Sequence, residues 1–329
     1  MTSIDTSKTP APTAAEAGAA LAALRTEIGK AVVGNDEAVM YLVLALLCRG
    51  HVLLEGVPGV AKTLLVRALA TALDLEHTRV QFTPDLMPAD VTGSQIYDPH
   101  SAEFTFRQGP VFTNLLLADE INRTPPKTQS ALLESMEERQ VSVDGRPRPL
   151  PDPFVVVATQ NPIEHEGTYP LPEAQLDRFL FKVDIRLPGR DDEFHILQRH
   201  AAGFDPRDLN AAGLRPVAGS AHIAAARAAI TQVTIKPEVL AYIVDICRAT
   251  RAAAAVRHGA SPRGATALMA AARALAWLNG RGFVTPDDVK TVAVAVLRHR
   301  LQLKPEAELD GVTGEQVMSS LLLSVPVPV

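Results

Sequence analysis

The chain has 329 residues, of which 47% are hydrophobic and 21% charged, so disorder of the whole chain is excluded and one large domain with a smaller one is favoured. The formal net charge of −5 argues against a protein whose main affinity comes from neutralising nucleic-acid phosphates, although a local basic stripe stays open. Cys48 and Cys247 lie far apart in apolar segments, which argues against a disulfide framework or a cysteine metal site and favours a reducing compartment.

The N-terminal segment, residues 1–14, is rich in Thr, Ser, Pro and Ala and predicts a flexible tail without the apolar centre of a secretory signal. The longest apolar run, residues 40–48, is too short to cross a bilayer. We therefore expect a cytoplasmic protein with no membrane span.

Residues 15–188 alternate between helical and strand patterns and predict an α/β domain with a parallel sheet. Helical periodicity at residues 15–30 and 35–48 precedes a short apolar strand at 51–55 and a helix at about 62–73. Four further short apolar runs follow, at residues 79–82, 115–118, 154–158 and 179–185. Asp144-Gly145 predicts the turn of a hairpin within residues 139–150, and a second hairpin-like insertion is expected within residues 91–111.

After Leu187-Pro188-Gly189 the strand pattern stops, and five or six Ala-rich helical patterns run to about residue 323. Ser261-Pro262 and Thr285-Pro286 each predict a helix start, with an N-cap oxygen followed by proline. We therefore expect residues 189–329 to form a separate helical domain.

Residues 56–63, Gly-Val-Pro-Gly-Val-Ala-Lys-Thr, follow a predicted strand and begin a predicted helix, the context that a phosphate-binding loop requires. Glycines let backbone N–H groups turn toward phosphates, and a helix N-terminus favours an anion. Lys62 would neutralise the β and γ phosphates of ATP, and Thr63 would offer its hydroxyl to Mg²⁺. Ala61 stands where the pattern usually has glycine; it permits the same close approach if its φ is negative.

Polar side chains follow two of the predicted buried strands. Asp119 and Glu120 end the strand at residues 115–118, and Asn161 follows the strand at residues 154–158. In a phosphate-loop site Asp119 would hold Mg²⁺, Glu120 would deprotonate the attacking water, and Asn161 would position that water or contact the γ-phosphate. Arg178 and Arg263 are candidates for cationic charge on the γ-phosphate, supplied within the chain or by a partner subunit.

Taken in this order, these motifs resemble Walker A, Walker B, sensor 1, the arginine finger and sensor 2 of AAA+ ATPases. The more specific resemblance is to the MoxR family, and it covers the chain from about residue 20 onward. The segments that carry it are residues 33–37, 50–56, 81–85, 119–129, 134–140 and 171–179.

The resemblance implies a five-stranded AAA+ core with a hairpin in its second helix, a second hairpin before Asn161, and an all-helical lid. It also implies a hexameric ring and chaperone-like remodelling of partners, often proteins with a von Willebrand factor A domain. Its nucleotide contacts would be Val33, Gly34, Gly56, Pro58, Gly59, Val60, Ala61, Lys62, Thr63 and Leu64, with Val33 and Gly34 near the adenine. Thr63 and Asp119 would hold Mg²⁺, and Glu120, Asn161, Arg178 and Arg263 would act in hydrolysis.

Other functions stay open at this point. A nucleotide-dependent switch or scaffold would use the same site with slow turnover. A DNA-dependent motor fits the acidic charge poorly, and a small-molecule kinase fails to explain Arg178, Arg263 and the helical lid together. Arg123 is a further candidate for contact between subunits, and the spacing of His195 and His200 argues against a metal other than Mg²⁺.

Overall fold

The computed structural model describes residues 11–57, 59–100, 102–161 and 167–328. Its N-terminal half contains, in chain order, α1 (Ala14–Ile28), α2 (Asp36–Cys48), β1 (Val52–Glu55), α3 (Lys62–Ala72), β2 (His77–Gln81), α4 (Pro88–Thr92), β3 (Gly93–Asp98), β4 (Glu103–Gln108), β5 (Leu115–Asp119), α5 (Pro126–Glu138), β6 (Gln140–Val143), β7 (Arg146–Pro149), β8 (Val155–Gln160), α6 (Glu173–Leu176) and β9 (Phe181–Asp184). A single 3₁₀ turn, Ile121–Arg123, follows β5.

Five of these strands form the expected parallel sheet, in the order β2, β5, β8, β1, β9. Alternate side chains of the three central strands pack into cores on opposite faces: in β5, Leu115 and Leu117 face one core and Leu116 and Ala118 the other. Edge strand β2 begins two residues before its predicted start, because its polar, half-exposed residues carry no apolar signal. The AAA+ architecture implied by the sequence is therefore confirmed for the α/β domain.

Both predicted hairpins are present. Strands β3 and β4 pair antiparallel after the short helix α4, and β6 pairs with β7 through Asp144 and Gly145, which have φ of 50° and 70° as a tight primed turn requires. The guanidinium of Arg148 on β7 lies 4.0 Å from the ring centroid of Phe106 on β4, so the two hairpins are neighbours.

The C-terminal half is helical, as expected. It contains α7 (Arg190–Ala201), α8 (Ser220–Ile230), α9 (Pro237–Ala252), α10 (Pro262–Leu278), α11 (Pro286–Leu297), α12 (Pro305–Leu309) and α13 (Gly314–Ser324). Ser261 and Thr285 cap α10 and α11 as predicted. Two short strands, β10 (Val256–His258) and β11 (Gln302–Leu303), also pair in this domain, so the expectation of a purely helical lid was wrong in this detail. Among the described residues, no helix combines the length and apolar character needed to span a membrane.

The two halves share one hydrophobic core. Helix α2 is buried on nearly all sides, because it lies between the sheet and the C-terminal helices α8 and α10. The Tyr41 ring packs 5.0 Å from that of Phe181, and its hydroxyl donates to the carbonyl of Thr291 at 3.1 Å. Arg298 strengthens the same junction by donating to both carboxylate oxygens of Asp184, at 2.6 and 2.7 Å.

Candidate functional site

The predicted phosphate-binding loop connects β1 to α3, and α3 begins at Lys62. Gly59 has φ of +86°, and Ala61, the residue before the helix, has φ of +61°. The condition stated for Ala61, a negative φ, is therefore not met. A side chain with a Cβ costs about 1–2 kcal/mol in this left-handed region, so Ala61 is held there by the path of the loop into α3.

A cavity of about 620 Å³ opens in front of this loop, which is within the size range of small-molecule sites. Side chains from both halves of the chain line it. From the N-terminal half these include ten predicted site residues, namely Val33, Gly59, Val60, Ala61, Lys62, Thr63, Leu64, Asp119, Glu120 and Asn161. Ile196, Arg199, His200 and Phe204 close it from the C-terminal half.

Lys62 lies at the loop end of the cavity, where its ammonium donates to the carbonyl of Gly56 at 2.7 Å. Partial burial lowers the pKa of Lys62, while the carboxylates of Asp119, Glu120 and Glu55 oppose that shift. Lys62 is thus a cation in a partly dehydrated position at the phosphate-binding loop, which suits it to bind an anionic group.

Asp119 and Glu120 end β5 at the same cavity. The hydroxyl of Thr159 donates to Asp119 Oδ1 at 2.5 Å and also accepts from the Glu120 N–H at 2.9 Å, so strand β8 fixes both acidic residues. Glu120 has φ of +56°, a strained conformation for a residue other than glycine. Its carboxylate accepts from Gln81 at 2.7 Å and from Arg123 at 3.2 Å.

Asn161 lies beyond the end of β8, next to β5 in the sheet, and it is buried at the wall of the cavity. The parallel order of these strands therefore brings the Asn161 amide and the Asp119–Glu120 pair to one edge of the sheet. This is the edge at which open α/β sheets bind ligands.

The groups at this edge of the sheet have the chemistry needed to bind a nucleotide together with Mg²⁺. The N-terminus of α3 and Lys62 supply positive potential for phosphates, while the Thr63 hydroxyl and the Asp119 carboxylate are oxygen ligands of the type that Mg²⁺ prefers. Gly56 has no room for a side chain, because an added Cβ would lie 2.6 Å from the carbonyl oxygen of Ile185. The first glycine of the loop is therefore required by packing against the segment that follows β9.

Two predicted nucleotide contacts, Gly34 and Gly56, do not line this cavity. Gly34 borders a neighbouring polar cavity, where a Cβ would come within 2.6 Å of the Asp192 carboxylate. Gly56 contributes its carbonyl to Lys62 and does not line the cavity. Pro58 lies outside the described residues.

Arg178 and Arg263 contact the same carboxylate, that of Glu137, and neither lines the cavity that the described residues form. Glu137 on α5 accepts from Arg178 at 2.7 Å through one carboxylate oxygen and from Arg263 at 3.2 Å through the other. Asp177 lies 3.6 Å from Arg263 and accepts from Arg300 at 2.7 Å. The two predicted arginines are thus a pair on one surface, joined by a carboxylate that the sequence motifs did not single out.

Sequence reasoning also missed Arg79, Gln81 and Thr159. Arg79 donates to Asp119 Oδ2 at 2.7 Å, and Gln81 and Thr159 contact Glu120 as described. The only sequence signal for Arg79 and Gln81 is that they are two residues apart on a predicted strand, so their side chains share a face.

Comparison with known proteins agrees with this arrangement. A profile described as "ATPase family associated with various cellular activities (AAA)" matches residues 51–181, and an "AAA lid domain" profile matches residues 248–321. A crystal structure of a candidate ATPase from Cytophaga hutchinsonii has a TM-score of 0.87 at 40% identity, covering 96% of this chain and 97% of that one.

Three relatives extend the similarity over most of the chain. Chaperone MoxR1 of Mycobacterium tuberculosis is 44% identical over 311 residues, which is 92% of this chain and 81% of that protein. Protein MoxR of Paracoccus denitrificans is 36% identical over 306 residues, or 84% and 87% of the two chains. The uncharacterized protein YeaC of Bacillus subtilis is 47% identical over 302 residues, or 92% and 93%.

Proposed function

Because the chain belongs to the MoxR family of AAA+ ATPases, we propose that it hydrolyses ATP to ADP and phosphate with Mg²⁺, and that it uses this reaction to remodel or mature a partner protein. The observation that carries the proposal is the meeting of Lys62, Asp119, Glu120 and Asn161 in one cavity at the N-terminus of α3. A relative named as a chaperone supports the second half of the proposal.

Each side chain has a distinct task in this reaction. Lys62 and the N–H groups at the start of α3 bind the phosphates. Thr63 and Asp119 hold Mg²⁺, which when bound neutralises charge that builds up on the phosphate oxygens. Glu120 accepts a proton from the attacking water, and the Asn161 amide orients that water toward the γ-phosphorus.

The positions of Arg178 and Arg263 support a site shared between subunits. Both arginines are joined to Glu137 on a surface apart from the cavity of their own chain. Since phosphoryl transfer needs cationic charge on the γ-phosphate, each chain in our proposal gives this pair to the cavity of its neighbour. A head-to-tail ring, hexameric as in the family resemblance, would give every cavity such a neighbour.

The hairpin formed by β3 and β4 is a candidate contact with the partner protein. Ile96, Tyr97 and Phe104 are exposed on it, and the rings of Tyr97 and Phe104 lie 5.2 Å apart. Exposed aromatic residues of this kind mark interaction surfaces. We propose that the hairpins contact a client, for which a protein with a von Willebrand factor A domain is one candidate, or line the centre of the ring.

A second candidate function is a nucleotide-dependent switch with slow hydrolysis. The contacts of Glu120 with Gln81 and Arg123 favour slow hydrolysis. The attacking water must compete with these two side chains for the Glu120 carboxylate. The turnover rate with and without a partner protein separates the two functions.

The test of the proposed function uses two variants and a control. Lys62→Ala should abolish ATP binding at concentrations that saturate the wild type, because the phosphates lose their main point charge. Glu120→Gln should bind ATP and lose turnover, because it keeps its shape without the base. Lys127→Ala, which removes an exposed lysine of α5, should match the wild type in both assays. Near-normal ATP affinity of Lys62→Ala would exclude the phosphate-loop assignment.

A further inference from the structure

Both carboxylate oxygens of Asp119 have partners inside the protein. Oδ1 accepts from the Thr159 hydroxyl, and Oδ2 accepts from Arg79 through Nη2 at 2.7 Å and through Nε at 3.1 Å. The Asp119 side chain is only 12% exposed, whereas that of Arg79 is 52% exposed. The half-exposed guanidinium therefore occupies Oδ2 of a carboxylate that is itself largely buried at the cavity.

The fold builds this contact through edge strand β2. Residues Arg79 and Gln81 lie opposite Leu117 and Asp119 of β5, with their side chains on the same face of the strand. Arg79 thus extends along β2 to reach Asp119, and its Nη2 also donates to Gln81 at 3.1 Å. Because both residues line the cavity, the pair lies at the site proposed for Mg²⁺ and nucleotide.

Resting on the proposed function, we propose that Arg79 competes with Mg²⁺ for Asp119, so that metal binding requires the guanidinium to leave Oδ2. A guanidinium and a divalent cation cannot share one carboxylate oxygen without strong repulsion, because their charges have the same sign and would lie within a few ångströms. Mg²⁺ also requires nearly ideal octahedral geometry, so it cannot bind Asp119 Oδ2 at a distorted angle while the Arg79 guanidinium stays in place.

The exposure of Arg79 makes its departure possible. An ion pair with one partner half in solvent is screened and contributes little, so a divalent ion can displace it. After displacement the guanidinium still lies at the wall of the cavity. Arg79 thereby sets the Mg²⁺ concentration at which the site fills, without being a metal ligand itself.

The test is a Mg²⁺ titration of nucleotide binding, with a fluorescent N-methylanthraniloyl derivative of ADP as the probe. Arg79→Gln should lower the Mg²⁺ concentration for half-maximal binding about three- to tenfold, because the competing cation is gone. Its affinity for the probe in EDTA should stay within about twofold of wild type. Arg25→Gln is the matched control, because it removes an arginine from an exposed ion pair with Asp36, neither of which lines the cavity, and its titration should match the wild type.

Other outcomes are equally informative. An unchanged or higher Mg²⁺ requirement of Arg79→Gln would overturn the competition. Weaker binding in EDTA without a lower Mg²⁺ requirement would make Arg79 a phosphate-binding residue and would also overturn it. If Arg79→Gln does not fold, as judged by circular dichroism, Arg79→Lys replaces it, and the loss of the two-point contact should again lower the Mg²⁺ requirement. Failure of the wild type to bind the probe with Mg²⁺ would contradict the proposed function instead.

Discussion

The buried side chain of His51 should make the stability of the α/β domain depend on pH. Its buried imidazole joins three elements: Nδ1 accepts from the Val156 N–H of β8 at 2.9 Å, and Nε2 lies 3.1 Å from the Met136 carbonyl of α5, while His51 itself precedes β1. Since Val156 donates to Nδ1, the proton of the neutral ring is on Nε2, which donates to Met136. A second proton on the ring would remove the acceptor for Val156.

Burial lowers the pKa of His51 from 6.5 to about 4. Below pH 6.5 the unfolded chain takes up a proton at His51, and the folded chain does not until the pH approaches 4. The contribution of His51 to the free energy of unfolding is therefore highest above pH 6.5 and falls as the pH approaches 4. Between about pH 7.5 and about pH 5, the difference in proton affinity lowers the free energy of unfolding by about 2 kcal/mol.

The variant His51→Leu fills the buried position with an apolar side chain but leaves the Val156 N–H without its acceptor, which costs about 1–3 kcal/mol near neutral pH. The wild type should be the more stable protein at about pH 7.5, and the gap between the two should shrink by about 2 kcal/mol at about pH 5. Urea unfolding followed by circular dichroism at both pH values measures the gap.

His299, whose pKa burial also lowers, contributes to both proteins and cancels in the difference. His195→Gln, on the exposed surface of α7, controls for the loss of an imidazole. A gap of the same size at both pH values would refute the assignment of a neutral, buried His51.

Three further predictions concern the nucleotide site and its surroundings. Ala61→Gly should raise the free energy of unfolding by about 1 kcal/mol, measured by urea unfolding, because glycine adopts a φ of +61° without strain; no gain would contradict the left-handed conformation. Replacing residues 142–147 with a short Gly/Ser turn, while keeping the buried Val141, should leave basal ATP hydrolysis intact and disrupt client-dependent function; loss of folding would make the hairpin structural. Arg178→Ala and Glu120→Gln should each be nearly inactive, but co-assembly of the two in equal amounts should restore up to roughly a quarter of the sites. A flat mixing curve with demonstrated subunit exchange would exclude a shared site.

The α/β domain was predictable because its signals are local. A glycine-rich loop between a buried strand and a helix places Lys62, and polar residues at strand ends place Asp119 and Asn161. Once the strands are parallel, these ends meet at one edge of the sheet, so the core of the candidate site follows from sequence alone. The helical half was predictable in outline from its N-caps, Ser261 and Thr285.

Contacts between residues that are far apart in the sequence were not predictable. Glu137 lies 41 residues from Arg178 and 126 residues from Arg263, and no spacing rule connects them. Arg79 reaches Asp119 only because an edge strand of weak apolar pattern pairs with β5. The positive φ of Ala61 was not predictable either, because residue type alone does not show that the loop must turn through the left-handed region before α3.

The burial of α2 from two sides limits how this protein can be divided for experiments. One side of the helix packs on the sheet, and the other packs on α8 and α10, so the shared core does not stop at residue 188. A fragment ending there would expose Leu and Val side chains of α2 to water and would remove Thr291, the acceptor of the Tyr41 hydroxyl. Such a fragment is expected to aggregate, with no ability to fold as an independent ATP-binding unit. Proteolytic dissection of the native chain should accordingly fail to release a stable N-terminal half, even though the phosphate-binding loop, the five-stranded sheet and Lys62, Asp119, Glu120 and Asn161 all lie within that half.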